Sequence, residues 1–578
     1  MTESAYGPSW YAATMMAAPE RDRLVYDLDA DVCVIGGGLA GLTTARELAR
    51  RGWSVVVLEA SRVAWSASGR NAGIVAPGFA ESIERIIERV GFERTRSLWI
   101  LSAGGVDYVR SAIRETQMPG VSPVDGWLAV QRIDNQDRLS AQAELIGEKL
   151  GTEVEAWPTE RVREVLKSPA YFQGLHLPGG FHIHPLNYAL GLAAAAEEAG
   201  AKIFENTRAL EIDAAGVRKR VTTPAGRVRA GYVVLAGSAH LSPLLPAVSG
   251  SVLPVASYVA TTASLGERLD DAITYTGAVV DNRRTGDYYR IVDGHRLMWG
   301  GRLSAHLDAP RRLKSLIRRD MLKAYPQVGE VEITHAWSGV MAYAVHKMSQ
   351  IGEVSPGLWV ATAFGSHGLN TSAMAGELIA RAIAETDDRW RLFGSYDLVY
   401  AGGAIGRATA QALFWFMRGR DALDEQIAWR RAATRRRNEA LAARAAEEAR
   451  QRVAADAQRR AAADAARRVA GEADAAERTA ERAGRLAMQE AAREVSDQAA
   501  PIAPGEAARR IAGESARLAA DAERLAAAER PAAANAARIT PEAEAPLAEQ
   551  RRARLKRKRR ARQSSTEAEF AQPRPPND

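Results

Sequence analysis

The feature that most constrains this chain is a glycine corner at the end of an apolar run. Asp31-Val32-Cys33-Val34-Ile35 reads as a short buried strand and runs directly into Gly36-Gly37-Gly38-Leu39-Ala40-Gly41. A helical pattern follows to Arg51-Gly52, and a second apolar run, Ser54-Val55-Val56-Val57-Leu58, delivers Glu59. A G-x-G-x-x-G run has meaning only in this strand–turn–helix–strand setting, which demands a βαβ unit. Gly36 permits the tight turn, Gly38 lets a diphosphate approach the backbone, and Gly41 lets the helix pack closely on the sheet. The helix N-terminus, with Leu39 and Ala40 in its first turn, faces the negative charge. Glu59 is placed to accept hydrogen bonds from both ribose hydroxyls, which disfavours a 2′-phosphate, and Ala60 follows at the same edge. At this point the ligand is NAD or FAD.

The next segment separates the two. Trp65-Ser66-Ala67-Ser68-Gly69-Arg70-Asn71-Ala72-Gly73 is a small, polar, glycine-bearing loop. Its Ser68, Gly69, Arg70, Asn71 and Gly73 suit a path beside a diphosphate and a flavin ring, so FAD is the expected cofactor.

Composition sets the rest of the frame. The 578 residues exceed one ordinary domain, and hydrophobic residues at 47% supply a sizeable core. The single cysteine, Cys33, excludes an intramolecular disulfide framework and any cysteine-based metal cluster. The nine histidines show no ligand spacing, so no metal is expected. No run of 18 apolar residues suggests a transmembrane helix, and Met1-Thr2-Glu3-Ser4 does not read as a secretion signal. A cytoplasmic enzyme is the expectation.

The net charge of +7 is unevenly divided. Residues 427–578 hold 32 Lys+Arg against 23 Asp+Glu, whereas the preceding chain holds 45 against 47. The body therefore gives no electrostatic reason to expect nucleic acid. From Arg430 to Glu569 there is no aromatic residue, and Ala, Arg and Glu dominate. This predicts a helical or disordered appendage over 426–578 with no core of its own. Its basic cluster, Arg551 to Arg560, offers contact with a polyanion or an anionic membrane surface.

With these pieces assembled, the chain resembles the D-amino-acid-oxidase/glycine-oxidase superfamily of FAD enzymes, and within it the γ-glutamylputrescine-oxidase-like branch. The likeness spans Ser9 to Leu423. It is carried by Ser9-Trp10-Tyr11-Ala12-Ala13-Thr14, by the corner and loop above, and by His182-Ile183-His184-Pro185-Leu186-Asn187-Tyr188. Ala199 to Thr207 and Ala401-Gly402-Gly403-Ala404-Ile405-Gly406-Arg407 extend it. The resemblance implies an α/β fold. A Rossmann-type FAD-binding domain (about 31–85, 185–250 and 345–390) would interleave with a mixed-sheet α+β substrate domain (about 86–184 and 251–344). These lobes make up an oxidoreductase body at 31–425, preceded by a segment at 1–30. It also implies that Val233-Val234-Leu235-Ala236-Gly237 closes over the cofactor, with Ala209 near the adenine. Ala363-Phe364-Gly365-Ser366-His367-Gly368 would form the flavin turn, with a helix beginning at Leu369. Relatives that attach FAD covalently use a cysteine or histidine, and the Ser66–Gly73 loop has neither, so noncovalent binding is implied.

The same resemblance implies oxidation of a small-molecule amine or amino acid, with O2 as electron acceptor and an acceptor quinone or carrier protein as the alternative. An inert flavin fold carrying a docking tail is the non-enzymatic alternative. Candidate catalytic residues are His367 in the flavin turn, His184, Lys347, Tyr289 and Arg290. Each histidine is either a packed, hydrogen-bonded residue or a catalytic one. Arg290 would pair with a substrate carboxylate or form a surface salt bridge. Lys347 would assist oxygen reduction as a fixed positive charge or simply lie exposed. The chain departs from the branch at Ala72 and Ile74, in the flavin turn, and at His346-Lys347-Met348-Ser349, all places where substrate meets flavin.

Overall fold

The strand expected at the glycine corner forms over Leu28–Ile35, in a computed structural model that describes residues 6–242, 244–308, 311–497 and a few positions between 511 and 520. It is central to the first sheet. The order is Gln350–Ser355, Leu358–Thr362, Arg227–Leu235, Leu28–Ile35, Val55–Leu58 and Lys202–Phe204, with a side hairpin of Glu211–Asp213 and Lys219–Thr222. The four central pairings are parallel, and only Gln350–Ser355 is antiparallel on that path. Parallel strands need cover on both faces, which is why Val55–Leu58 is apolar at every position and wholly buried.

Helix Leu39–Arg50 makes the crossover between the first two strands and is buried along almost its whole length. Helix Gly368–Glu385 packs across it with a glycine at the crossing: a Cβ on Gly376 would stand 2.6 Å from Cβ of Thr43. Small residues at the crossing let the two backbones approach.

The second sheet is mixed, in the order Ile333–Ala344, Val252–Thr262, Arg296–Ser304, Tyr288–Val292, Ala278–Asp281, Val124–Val130, Gly174–His182 and Ile74–Val75. One face packs on helix Leu313–Ala324 through a core that includes Leu128, Tyr171, Tyr289, Trp299, Ile317, Met321 and Tyr325. The other face is turned to the cleft described below. The chain passes between the sheets repeatedly: Ile74–Val75 follows the first crossover yet pairs with His182 and Phe181 of the second sheet. The predicted α/β architecture, with a cofactor domain interleaved with a mixed-sheet domain, is the observed one.

Two compact units divide the chain, Met1–Ala443 and Arg444–Asp578, so residues 426–443 fall in the first. The last helix runs over Gly403–Asp497, and every position from 444 to 497 is exposed. The expected helical appendage is thus seen as far as Asp497. The basic cluster at 551–560 lies outside the described residues. Among the described residues no helix is long and apolar enough to cross a membrane.

Candidate cofactor and active site

A single cleft of about 1470 Å³ runs from the glycine corner to the inward face of the second sheet. That exceeds the span usual for small-ligand pockets, about 300–1,000 Å³, and suits a dinucleotide plus a substrate. Gly36, Gly38, Leu39 and Ala40 line one end, together with Glu59 and Ala60 from the second strand. Gly36 has φ of +115°, and a Cβ there would lie 2.7 Å from the Ala236 carbonyl oxygen, so only glycine fits. Gly38 is the residue before the helix, whose first turn opens into the cleft with its positive end.

Glu59 is held by the corner it faces. Its Oε2 accepts the Gly37 N–H at 2.7 Å and its Oε1 accepts the Ser61 N–H at 2.8 Å. Burial raises the carboxyl pKa, while these backbone donors favour the charged form. Its remaining lone pairs are available to ribose hydroxyls.

The loop from Ser66 takes its expected place. Ser68, Arg70 and Asn71 line the cleft, as do Ala209, Ala236 and Gly237. Ser68 Oγ accepts the Leu39 N–H at 3.0 Å, tying the loop to the helix start. Asn71 braces the loop itself, donating to the Ala67 and Ser68 carbonyls and accepting the Gly73 N–H at 2.8 Å. Arg70 donates to the Tyr6 carbonyl at 2.9 Å, and its own carbonyl accepts the Trp337 indole N–H at 3.0 Å. Burial lowers the Arg70 pKa.

Gly41, Gly69 and Gly73 do not line the cleft. They stand behind its wall, where a Cβ would lie 2.0 Å from Gly36 O, 2.5 Å from Ala64 O and 2.2 Å from Ile183 O respectively. Their contribution is to shape the cradle.

At the far end, Gly365, Ser366, His367, Gly368 and Leu369 line the cleft beneath the second sheet. Helix Gly368–Glu385 starts here, so a second positive helix end points into the site. The half-buried His367 has its pKa pushed down to about 4 by burial, and its Nδ1 lies 3.2 Å from Ser366 Oγ. Lys347 sits at the cleft wall with a left-handed backbone (φ +57°), its Nζ 3.8 Å from Glu81.

Three of the expected catalytic residues lie away from the cleft: the readings of Tyr289 and Arg290 are corrected, and His184 takes the packed, hydrogen-bonded alternative. Tyr289 points into the core on the sheet's other face, 2% exposed, stacked on Trp299 and hydrogen-bonded to Tyr325. Arg290 is neither a cleft residue nor a surface ion pair. It is 5% exposed and binds His182 Nδ1 at 2.7 Å, the Ile183 carbonyl at 2.8 Å and the Tyr11 hydroxyl at 3.0 Å. His184 caps helix Pro185–Glu198, its Nδ1 accepting the Asn187 N–H at 3.1 Å. Burial pushes the His182 and His184 pKa values down to about 3 and about 4.

The resemblance placed the segment Asp287 to Arg290 at the cavity wall but singled out Tyr289 and Arg290, and the side chains that do face the site from the second sheet are others. Tyr288 lines the cleft with its hydroxyl 2.9 Å from Ser257 Oγ; Met341 and Tyr343 lie on the same face. Strand alternation was the available signal. Also missed was the wall made by Ala410, Phe414 and Met417, from the first turns of the last helix.

The glycine cradle, the ribose-facing carboxylate and two helix N-termini opening on one long cleft define a dinucleotide-binding flavoprotein fold, and the residues present fit FAD. The family model described as "FAD dependent oxidoreductase" (DAO) matches residues 31–382, and the chain belongs to that family. It is an FAD-dependent oxidoreductase enzyme. It is 31% identical over 404 residues to the gamma-glutamylputrescine oxidoreductase of Escherichia coli (strain K12), covering 68% of this chain and 92% of that protein. To the probable oxidoreductase OrdL of Haemophilus influenzae it is 31% identical over 386 residues, covering 65% and 88%. Among solved structures, glycine oxidase from Bacillus cereus ATCC 14579 shares the fold at a TM-score of 0.53 and 20% identity, covering 63% of this chain and 98% of that one.

Proposed function

We propose that this enzyme oxidises an amine. The cofactor, when bound, supplies a hydride acceptor at flavin N5; the imine product hydrolyses to a carbonyl, and O2 is reduced to H2O2. The observation that carries the reading is the cleft itself, which brings the FAD cradle and the Gly365–Gly368 turn under Tyr288, Ser257 and Met341.

The choice of amine over α-amino acid rests on the wall. A substrate carboxylate calls for a free guanidinium or ammonium. The cleft-lining residues on the strands of the second sheet include no Arg or Lys, and Arg290 spends its donors in the core. Of the other cations on the cleft, Arg283 and Arg284 are already paired with Asp281, Asp287 and Asp421, Lys347 lies 3.8 Å from Glu81, and Arg85, Arg138 and Arg208 line it away from the strands of the second sheet. The hydroxyl pair Tyr288–Ser257 would orient the substrate, and His367, neutral above about pH 4, would accept a hydrogen bond from the amine.

Anaerobic titration with a panel of amines and amino acids tests this. Bleaching of the flavin band by amines and not by α-amino acids is the expected result, and bleaching by α-amino acids alone would overturn it. Stoichiometric peroxide in air separates the oxidase from a dehydrogenase that needs a quinone or carrier protein.

A further inference from the structure

The last helix presents two different faces before it leaves the first compact unit. Gly406, Ala410, Phe414, Met417 and Asp421, spaced three or four apart, turn inward. Gly406 lies 3.5 Å from Leu253 at the position of its would-be Cβ, and Gln411 accepts from the Ala305 N–H at 2.9 Å. Phe416 and Leu423 fall on the opposite line, with Trp415 beside them, and are 65%, 48% and 61% exposed, whereas Ile405 at the start of the helix borders the cleft. A helix built for a globular surface carries polar residues on that side. This one carries large apolar groups on both.

Charge says what covers the outer face. Between Leu398 and Arg431 the chain has five arginines and three carboxylates. All three carboxylates are drawn inward. Asp421 accepts from Arg284 at 2.8 Å and from the Thr285 N–H at 3.2 Å. Asp424 pairs with Arg284 at 3.0 Å, and Glu425 with Arg132 at 2.9 Å. What remains outward is a stripe of aromatic and aliphatic side chains, flanked by Arg420, which reaches back to Asp424 at 3.9 Å, and leading to the exposed Arg430 and Arg431. That is the composition of a helix that lies in a bilayer interface, apolar groups in the acyl boundary and arginines at anionic headgroups.

We propose that the outward face of residues 415–431 docks this enzyme on an anionic lipid surface. The partner is the bilayer face, not a second copy of the chain, because the exposed Arg430 and Arg431 find anionic headgroups there, whereas the stripe of a second copy offers them no carboxylate that is not already drawn inward. The same helix lines the cleft through Phe414 and Met417, so docking puts the cleft wall at the membrane. The inference holds whichever amine is oxidised.

The test is co-sedimentation of the full-length, flavin-loaded protein with vesicles of phosphatidylcholine alone or with about one third phosphatidylglycerol, comparing it with the double substitution Trp415→Ser and Phe416→Ser. Flavin absorbance of both proteins reports that the fold and cofactor are intact. Binding to the anionic vesicles, weak on pure phosphatidylcholine and lowered about tenfold by the double substitution, is expected. Equal binding by the two proteins overturns the proposal, as does a lipid-free dimer that the double substitution splits into monomers.

Discussion

Tyr288 and Tyr289 are neighbours in sequence and belong to opposite sides of one strand. The Tyr288 hydroxyl meets Ser257 Oγ at 2.9 Å on the cleft wall, whereas Tyr289 stacks on Trp299 with ring centroids 4.4 Å apart and planes 4° off parallel. Its hydroxyl is 2.6 Å from that of Tyr325. Alternation along the strand separates a site residue from a core residue one step apart.

The two tyrosines therefore respond differently to loss of the hydroxyl. Tyr288→Phe is expected to lower kcat/KM about tenfold or more, with a stability change below about 1 kcal/mol. Tyr289→Phe leaves the Tyr325 hydroxyl buried without its partner and is expected to cost about 1–2 kcal/mol in urea unfolding, with kcat and KM per bound flavin unchanged. The reverse pattern would mean that the strand is turned over.

Those tyrosines also mark the limit of what was legible beforehand. The FAD cradle was readable because each glycine answers a local demand: Gly36 meets a backbone carbonyl, and Gly41 meets Gly36. The substrate wall depends on which side of a strand faces inward, which register decides and composition does not. Arg290 was misread because a buried arginine with His182, Ile183 and Tyr11 as partners, drawn from distant parts of the chain, has no local signature. The cleft wall from Phe414 and Met417 escaped for the same reason, since its place depends on long-range anchors such as Asp421 to Thr285.

Arg290 and His182 predict an acid-sensitive core. The ordinary histidine pKa of 6.5 falls to about 3 in the folded protein, through burial and then the Arg290 charge. Between those values the unfolded chain binds a proton that the native protein refuses, so stability is complete above about pH 6.5 and falls as pH drops toward 3. His182 alone contributes a slope of about 1.4 kcal/mol per pH unit in that window. Urea titrations at pH 7 and pH 5.5 should show His182→Gln losing less stability than wild type over that interval. An equal loss would place the titrating group elsewhere.

Arg290→Met separates a structural cation from a substrate anchor. Removing the guanidinium leaves the Ile183 carbonyl and His182 buried without donors, and a loss of about 2–4 kcal/mol is expected. KM per folded, flavin-loaded protein should stay within about twofold, whereas loss of a carboxylate partner would raise it far more.

Gly36→Ala tests the cradle directly. The new Cβ would meet the Ala236 carbonyl at 2.7 Å in a backbone conformation that side chains rarely adopt. The strain, about 1–3 kcal/mol, falls on the wall that would hold the diphosphate. Flavin per polypeptide, read from the visible-to-ultraviolet absorbance ratio after dialysis, should drop about tenfold in apparent affinity, while far-ultraviolet circular dichroism stays near wild type.

Shortening the chain distinguishes the cofactor site from the wall beside it. A stop after Ala443 keeps the whole first compact unit, including Phe414, Met417 and the Asp421 and Glu425 anchors, so flavin content and kcat/KM should match the full chain. A stop after Gly402 removes the helix and leaves Arg284 and the Thr285 N–H without Asp421. The cradle residues at 36–73, 209–237 and 365–369 remain, so flavin should still bind, but the cleft loses one wall and KM should rise more than kcat falls. Loss of flavin from the longer of the two proteins would mean that residues beyond Ala443 help to hold the cofactor, and the division of labour argued from the cleft would have to be redrawn.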